Sequence, residues 1–390
     1  MKYLNLSKLA TDYPASGIRR MFELAAGSDD AIRFTVGEPD FDTPAHVGAA
    51  AKAALDAHLT RYVSNSGIPE LRQAIAANRT AAWGRPIGAE SVLVTIGGME
   101  ALLLALQAVV NPGDEVLVPD PGYPNYQGQL LMVGAVAVPV PIAEENRFRM
   151  RAADVAARIT PQTAAIVLNS PSNPLGTIVE DAELRKIAEL ARAHQLAIIS
   201  DEVYERIVFD GRAYRSIAQV TENCTDALIV NSFSKTYAMT GWRCGWLTGP
   251  AEVIGRLAQL KEGISSCTPP FVQHGAIAAL TGPQDAAEHM RQTFQERRDL
   301  VCEGVAAISG LRLVRPEGAF YAFINIAATG LTATEFATRL LAEQRVCVVP
   351  GSAFGAGGEG HVRLSFAAST QQIDEGLTRM GRFVAGLQRG

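Results

Sequence analysis

The chain has 390 residues, of which 48% are hydrophobic and 19% charged, and carries a net charge of -5. That balance excludes a disordered or fibrous chain, and the lack of basic excess excludes an electrostatic footprint for nucleic acid or anionic lipid. The length exceeds the usual reach of one hydrophobic core, so a large domain with a smaller companion is expected.

From the N-terminus, MKYLNLSKLATDYPASGIRR has no apolar stretch followed by a small-residue cleavage site, so no export signal is read. The longest apolar run, Ala101–Val110, is interrupted by Gln107 and is too short to span a membrane. The cysteines (Cys224, Cys244, Cys267, Cys302 and Cys347) are odd in number, widely spaced and without a C-x-x-C pair. They suggest neither a disulfide framework nor a metal site, and fit a reducing, cytoplasmic setting.

Short aliphatic runs then recur at Val92–Ile96, Glu115–Pro119, Ala135–Val140, Ala164–Leu168, Leu196–Ser200, Ala227–Asn231 and Cys244–Thr248. They predict the buried strands of a mostly parallel, seven-stranded sheet. Between them lie amphipathic helices such as Asp181–His194, with Leu184, Ile187, Ala188 and Ala191 on one face. Alternation of strand and helix is the signature of an α/β fold. From about residue 282 the pattern changes to a long polar helix, Ala286–Ile308, and short strands near Ala319–Ile324, Val346–Val349 and His361–Phe366. The reading is a large domain over 45–281 and a smaller α+β domain over 282–390, joined by an N-terminal arm over 1–44.

In an open α/β sheet ligands gather outside the carboxyl ends of the strands, so the residues following each strand matter most. After the first run, Gly97-Gly98-Met99-Glu100 opens an apolar helix, offering bare amides and a helix N-terminus to an anion. After the fourth comes the turn from Asn169 to Gly176, stiffened by prolines and containing Asn173. After the fifth comes Asp201, with Tyr204 three residues on; a carboxylate there needs a cationic or hydrogen-bonding partner. After the sixth come Ser232-Phe233-Ser234-Lys235, with Arg243 eight residues beyond the lysine. Singly, each has a plain explanation: a tight turn, an idle loop, a helix cap or a solvated charge. Together, at one sheet edge, they supply the parts that one phosphorylated cofactor requires.

These residues resemble the fold type I pyridoxal 5′-phosphate (PLP) enzymes of the aspartate aminotransferase superfamily. The resemblance runs nearly end to end. It rests on Ser232-Phe233-Ser234-Lys235 with Arg243, Asn173-Pro174-Leu175-Gly176, Asp201-x-x-Tyr204 and Arg363-Leu364-Ser365-Phe366, in that family's order. Ser16-Gly17-Ile18-Arg19, the Gly37-Glu38-Pro39-Asp40-Phe41 turn and the Tyr62…Gly67…Leu71-Arg72 spacing look like its bacterial and archaeal class I subgroup. That subgroup holds aspartate, aromatic and N-acetyl-diaminopimelate aminotransferases.

The resemblance implies a PLP-dependent aminotransferase that passes an amino group from an L-amino acid to a 2-oxo acid, with glutamate and 2-oxoglutarate as the default pair. It implies Lys235 as the residue bonded to the cofactor, displaced by substrate and then free to shuttle a proton. Asp201 partners the pyridinium nitrogen. Gly97, Gly98, Met99, Ser232, Ser234 and Arg243 hold the phosphate. Tyr123 stacks on the ring, and Asn173 and Tyr204 bond its phenolic oxygen. Arg363 clamps the substrate carboxylate with help from Asn173 and Gly37. Tyr62 reaches the phosphate of a partner subunit, which implies a homodimer with shared active sites.

Met99 stands where some members that prefer dicarboxylic acids place a lysine, which weighs against aspartate as the preferred substrate. Arg19 and Arg20 on the arm are candidates to face a distal acidic or acylated side chain, or are surface arginines. A PLP-dependent carbon–sulfur β-lyase would share the same lysine, aspartate and phosphate site and remains the alternative. A PLP-sensing regulator would need an added DNA-binding domain, and the family pattern already begins near residue 16. A nucleotide-binding Rossmann protein would need G-x-G-x-x-G after its first strand, which is missing.

Overall fold

The computed structural model describes residues 5–27, 30–220 and 227–387. Seven strands form one sheet: β1 (Val92–Thr95), β2 (Glu115–Asp120), β3 (Val136–Pro141), β4 (Thr163–Asn169), β5 (Ala197–Asp201), β6 (Ala227–Ser232) and β7 (Gly245–Thr248). Their order is β1-β7-β6-β5-β4-β2-β3, parallel throughout except for β7, which runs antiparallel to both neighbours. Every residue of β1, β6 and β7 is buried, as expected of aliphatic runs packed between helices on both faces. The helix Asp181–His194 has the sequence-derived bounds and apolar face, with Leu184, Ile187, Ala188 and Ala191 all buried.

Register, more than any single turn, assembles the sheet edge. Asn169 lies opposite Asp201 across β4 and β5, and Asp201 opposite Val230 across β5 and β6. Gly245 of β7 pairs with Thr95 on one side and Ser232 on the other. The Gly97 turn, the Ser232 segment and Arg243, far apart in sequence, therefore meet at one point. The structure corrects one detail here: Asp201, read as following the strand and open to a plain role as a helix cap, is the last residue of β5 and caps no helix.

The C-terminal part builds a four-stranded antiparallel sheet from β8 (Arg312–Leu313), β9 (Tyr321–Asn325), β10 (Val349–Pro350) and β11 (His361–Ser365), in the order β10-β11-β9-β8. The long helix spans Asp285–Ala306. The single strand expected at Val346–Val349 is split in two. Val346–Cys347 pairs in parallel with Ile32–Arg33 of the N-terminal segment, whereas Val349–Pro350 joins β11. A strand pairing two partners in succession must turn between them, and Val348, fully buried, is the turning point. Phe34, Phe294, Phe320 and Phe336 fill the apolar core beneath this sheet.

Candidate active site

Between the two sheets lies a cavity of about 330 Å³ whose charged lining consists of Lys235, Arg243, Arg363 and Asp201. Three cations against one carboxylate in a buried space call for anionic ligands, since unpaired buried charge is costly.

At one end, the chain enters the helix Gly97–Val109 through Gly97 at φ +71°. Sequence reading begins this helix at Ala101; its first turn is in fact the glycine pair, because a left-handed φ is cheap only for glycine. A Cβ at Gly97 would collide with the Arg243 guanidinium, and one at Gly98 would meet Val203 at 3.4 Å and Ser232 at 3.8 Å. Ser232 Oγ donates to Ser234 Oγ at 2.9 Å, and the Ser234 amide donates to Ser232 Oγ at 3.1 Å. Arg243 spends Nη1 on the Thr240 carbonyl at 2.8 Å and forms no ion pair with a carboxylate among the described residues. Glycine amides, two hydroxyls and an uncommitted guanidinium fit a phosphate dianion.

On the floor, Asp201 is 4% exposed and accepts from the Tyr126 hydroxyl at 2.8 Å. Burial raises its carboxyl to about 6, opposed by the Tyr126 hydrogen bond, the Val203 amide and the Lys235 charge. Lys235 donates from Nζ to the Gly37 carbonyl at 2.5 Å. Burial brings its ammonium down to about 8; Arg243 and Arg363 push the same way and Glu38 opposes them. An amine near neutrality and a carboxylate facing it across the floor can hold and move protons at adjacent points.

At the other end, Arg363 is 1% exposed and forms no ion pair with a carboxylate among the described residues. Its Nη1 donates to Asn173 Oδ1 at 3.0 Å and its Nη2 to the Thr35 carbonyl at 2.7 Å, while Nε has no partner. The guanidinium lies over the Tyr321 ring, 4.5 Å from its centroid, and over Phe354, 4.9 Å away. A buried arginine held by neutral groups is a waiting anion site, and its planar fork suits a carboxylate.

Tyr123 and Tyr204 also line the cavity. Tyr123 accepts from Asn125 Nδ2 at 2.9 Å and approaches Met99 Sδ at 3.6 Å. Tyr204 shares a hydrogen bond with Tyr321, hydroxyl to hydroxyl, at 2.8 Å. Sequence reasoning missed Tyr126, which holds Asp201, and Tyr321, which supports both Arg363 and Tyr204. Tyr126 carried a faint signal, three residues after Tyr123; Tyr321 carried none without knowledge of the β9 to β11 pairing.

Two further expected residues lie elsewhere. Tyr62 is 88% exposed and outside the cavity of its own chain. Arg19 points to solvent in an ion pair with Glu23 at 3.1 Å, and Arg20 lines a separate, larger hollow of about 510 Å³ beside the arm. From that arm only Ile18 and Gly37 reach the cavity among the described residues. The chemistry sits in the smaller space, since Arg20 is the larger hollow's sole charged lining residue among those described.

Residues 29–380 match the family model for aminotransferase class I and II. The chain is 41% identical over 370 residues to an aspartate aminotransferase of Pyrococcus abyssi, covering 94% of each. It is equally 41% identical over 359 residues to the arginine–pyruvate transaminase of Pseudomonas aeruginosa, covering 92% of this chain and 91% of that one. Among solved structures it matches the aspartate aminotransferase from Thermus thermophilus with maleate at a TM-score of 0.91 and 37% identity, covering 97% of this chain and 99% of that one.

Proposed function

The chain belongs to the class I and II aminotransferases, enzymes of fold type I that use PLP to move amino groups between amino and 2-oxo acids, and on that footing we propose how its residues divide the work. When bound, PLP supplies an electron sink for the charge left on the amino acid's α-carbon. The rest falls to the protein. Gly97, Gly98, Met99, Ser232, Ser234 and Arg243 would hold the phosphate, and Tyr123 would cover the ring face. Asp201 would keep a proton on the ring nitrogen, because an ionised carboxylate beside it raises that nitrogen's pKa.

Lys235 would carry the cofactor and, once displaced, take the proton from the substrate α-carbon at Nζ; an amine brought down to about 8 is partly neutral near physiological pH. Asn173 and Tyr204 would bond the ring's phenolic oxygen. Arg363 would fix the substrate carboxylate, with Asn173 and the Gly37 backbone beside it, so that the α-hydrogen faces Lys235.

The observation that carries this assignment is the placing of Lys235 Nζ among Asp201, Arg243 and Arg363 in one buried cavity. Borohydride reduction of the yellow protein followed by peptide mass mapping tests it. The pyridoxyl mass is expected on the peptide bearing Lys235; finding it on another lysine refutes the assignment.

Glutamate and 2-oxoglutarate would form one substrate pair, in cytoplasmic amino acid metabolism. The named relatives differ in their amino substrates, so the other pair is taken from no single one of them. We also assign 45–281 to a PLP-binding domain, 282–390 to a small domain and 1–44 to the arm, part of which joins the small domain through Ile32–Arg33. A homodimer fits the exposed apolar residues Leu55, Leu59, Tyr62, Leu260 and Ile264, two stretches linked by a hydrogen bond from Asn65 to Glu262 at 3.1 Å. From that face Tyr62 would reach the partner's phosphate site.

A further inference from the structure

Behind the sheet edge lies a further, very small cavity of about 10 Å³, lined by Glu202, Asn231 and Trp246 among others. That is close to the space one water needs. Each of these three residues turns up a buried polar atom without a hydrogen-bond partner: Glu202 Oε2, Asn231 Oδ1 and Trp246 Nε1. Their side chains are otherwise committed. Glu202 Oε1 accepts from Ser200 Oγ at 2.9 Å, Ser216 Oγ at 2.9 Å and the Ile217 amide at 3.2 Å. Asn231 Nδ2 donates to the Glu202 carbonyl at 3.3 Å. The Tyr214 hydroxyl lies within hydrogen-bond reach of the same carboxylate, but its hydrogen goes to the Ser170 carbonyl at 3.0 Å. Arg79, also on the cavity wall, is engaged by Glu205 at 2.7 Å.

Two acceptors and one donor around a single-water space match the two hydrogens and a lone pair of one water molecule. Asn231 and Trp246 are direct cross-strand partners on β6 and β7, so the donor and one acceptor face the same gap. Glu202 directly follows Asp201, and Asn231 directly precedes Ser232.

We propose that this cavity binds one ordered water, donating to Glu202 Oε2 and Asn231 Oδ1 and accepting from Trp246 Nε1–H, and that the closed network positions Asp201 and Ser232 from behind. Glu202, Asn231 and Trp246 are then positioning residues for the cofactor site, a role that rests on the assignment of Asp201 and Ser232 made above. Such a network holds its members more firmly than any single bond, because each hydrogen bond polarises the next.

The test has two arms. A crystal structure of the enzyme, with and without PLP, at a resolution that shows ordered waters, is expected to place one water within hydrogen-bond reach of all three atoms in both forms. A dry cavity, or Glu202 swung directly onto Asn231, overturns the proposal. The cofactor-free crystal keeps this outcome readable even if the assigned function were wrong.

In the second arm Trp246→Phe removes the N–H that the water would accept from. For the PLP-loaded enzyme, kcat is expected to fall roughly fivefold with the KM for the amino donor unchanged, because Arg363 is held by Asn173 and Thr35 and shares no hydrogen bond with the network. The dissociation constant for PLP, read by absorbance, is expected to rise, and Glu202→Gln, whose oxygen stays with Ser200, Ser216 and Ile217 and whose amide N–H can donate to the water's second lone pair, is expected to lose less of both. Unchanged kcat and PLP affinity in Trp246→Phe, or an equal loss of kcat and rise in KM, overturns the positioning role.

Discussion

Asp201 and Lys235 are both charged against the preference of their surroundings, and that opposition makes a prediction about stability. In the folded, cofactor-free protein burial raises Asp201 from its ordinary 3.8 to about 6, so the native state binds this proton more tightly than the unfolded chain does. The sign follows: stability is lost as pH rises from the unfolded to the folded pKa, and a cost on the order of 3 kcal/mol is fully present above about pH 6. Asp201→Asn is therefore expected to raise the Tm of the cofactor-free protein, more at pH 8 than at pH 5, while nearly abolishing turnover. Melting curves at the two pH values check the first part, and a Tm lowered at pH 8 would contradict it. At the cavity's other end, Arg363→Lys would keep the charge and lose the planar fork. The expected result is a KM raised about 10- to 100-fold for every amino acid alike, with a smaller change in kcat. Steady-state kinetics on several donors reads this out, and a loss confined to one donor would point to side-chain recognition instead.

At the scale of elements, the strands were legible because runs buried on both faces are continuous in sequence, and their ends shifted by only a residue or two. The glycine pair at the head of the helix Gly97–Val109 was legible as an anion site but not as helix, since glycine argues against helix until its φ is known. Gly97→Ala makes that conformation testable: a Cβ there is both strained at φ +71° and in collision with Arg243. PLP affinity is expected to fall by at least roughly tenfold, as titrated by absorbance, with the fold retained by circular dichroism. A Gly97→Ala variant binding PLP as tightly as the parent would remove this turn from the phosphate site. Val346–Val349 was legible as one strand and proved to be two, because partner choice is not written in local periodicity. The same limit hid Tyr321, whose place under Arg363 follows from the pairing of Phe323 with Arg363 in the antiparallel register of β9 and β11.

Over the whole molecule, the cavity is built from three distant regions: the arm's Ile18 and Gly37, the large sheet's edge, and Tyr321 with Arg363 from the C-terminal sheet. The order of motifs along the chain carried the family, and so the cofactor, whereas the amino substrate depends on cavity walls that no motif names. The active site proposed to be shared across a homodimer makes a further expectation. Lys235→Ala and Tyr62→Ala homodimers should each be weak, and a mixed population should recover activity, because one hybrid site keeps both native residues. If mixing after subunit exchange restores nothing, Tyr62 does not act across the interface.

The central claim is most directly tested by the visible absorbance of the purified, PLP-supplemented protein before and after glutamate, with Lys235→Ala alongside. A yellow band is expected that fades with glutamate, returns with 2-oxoglutarate, and in Lys235→Ala neither forms in the same way nor cycles. A wild-type protein that shows no band with PLP, or a Lys235→Ala variant that cycles as fast as wild type, would contradict it.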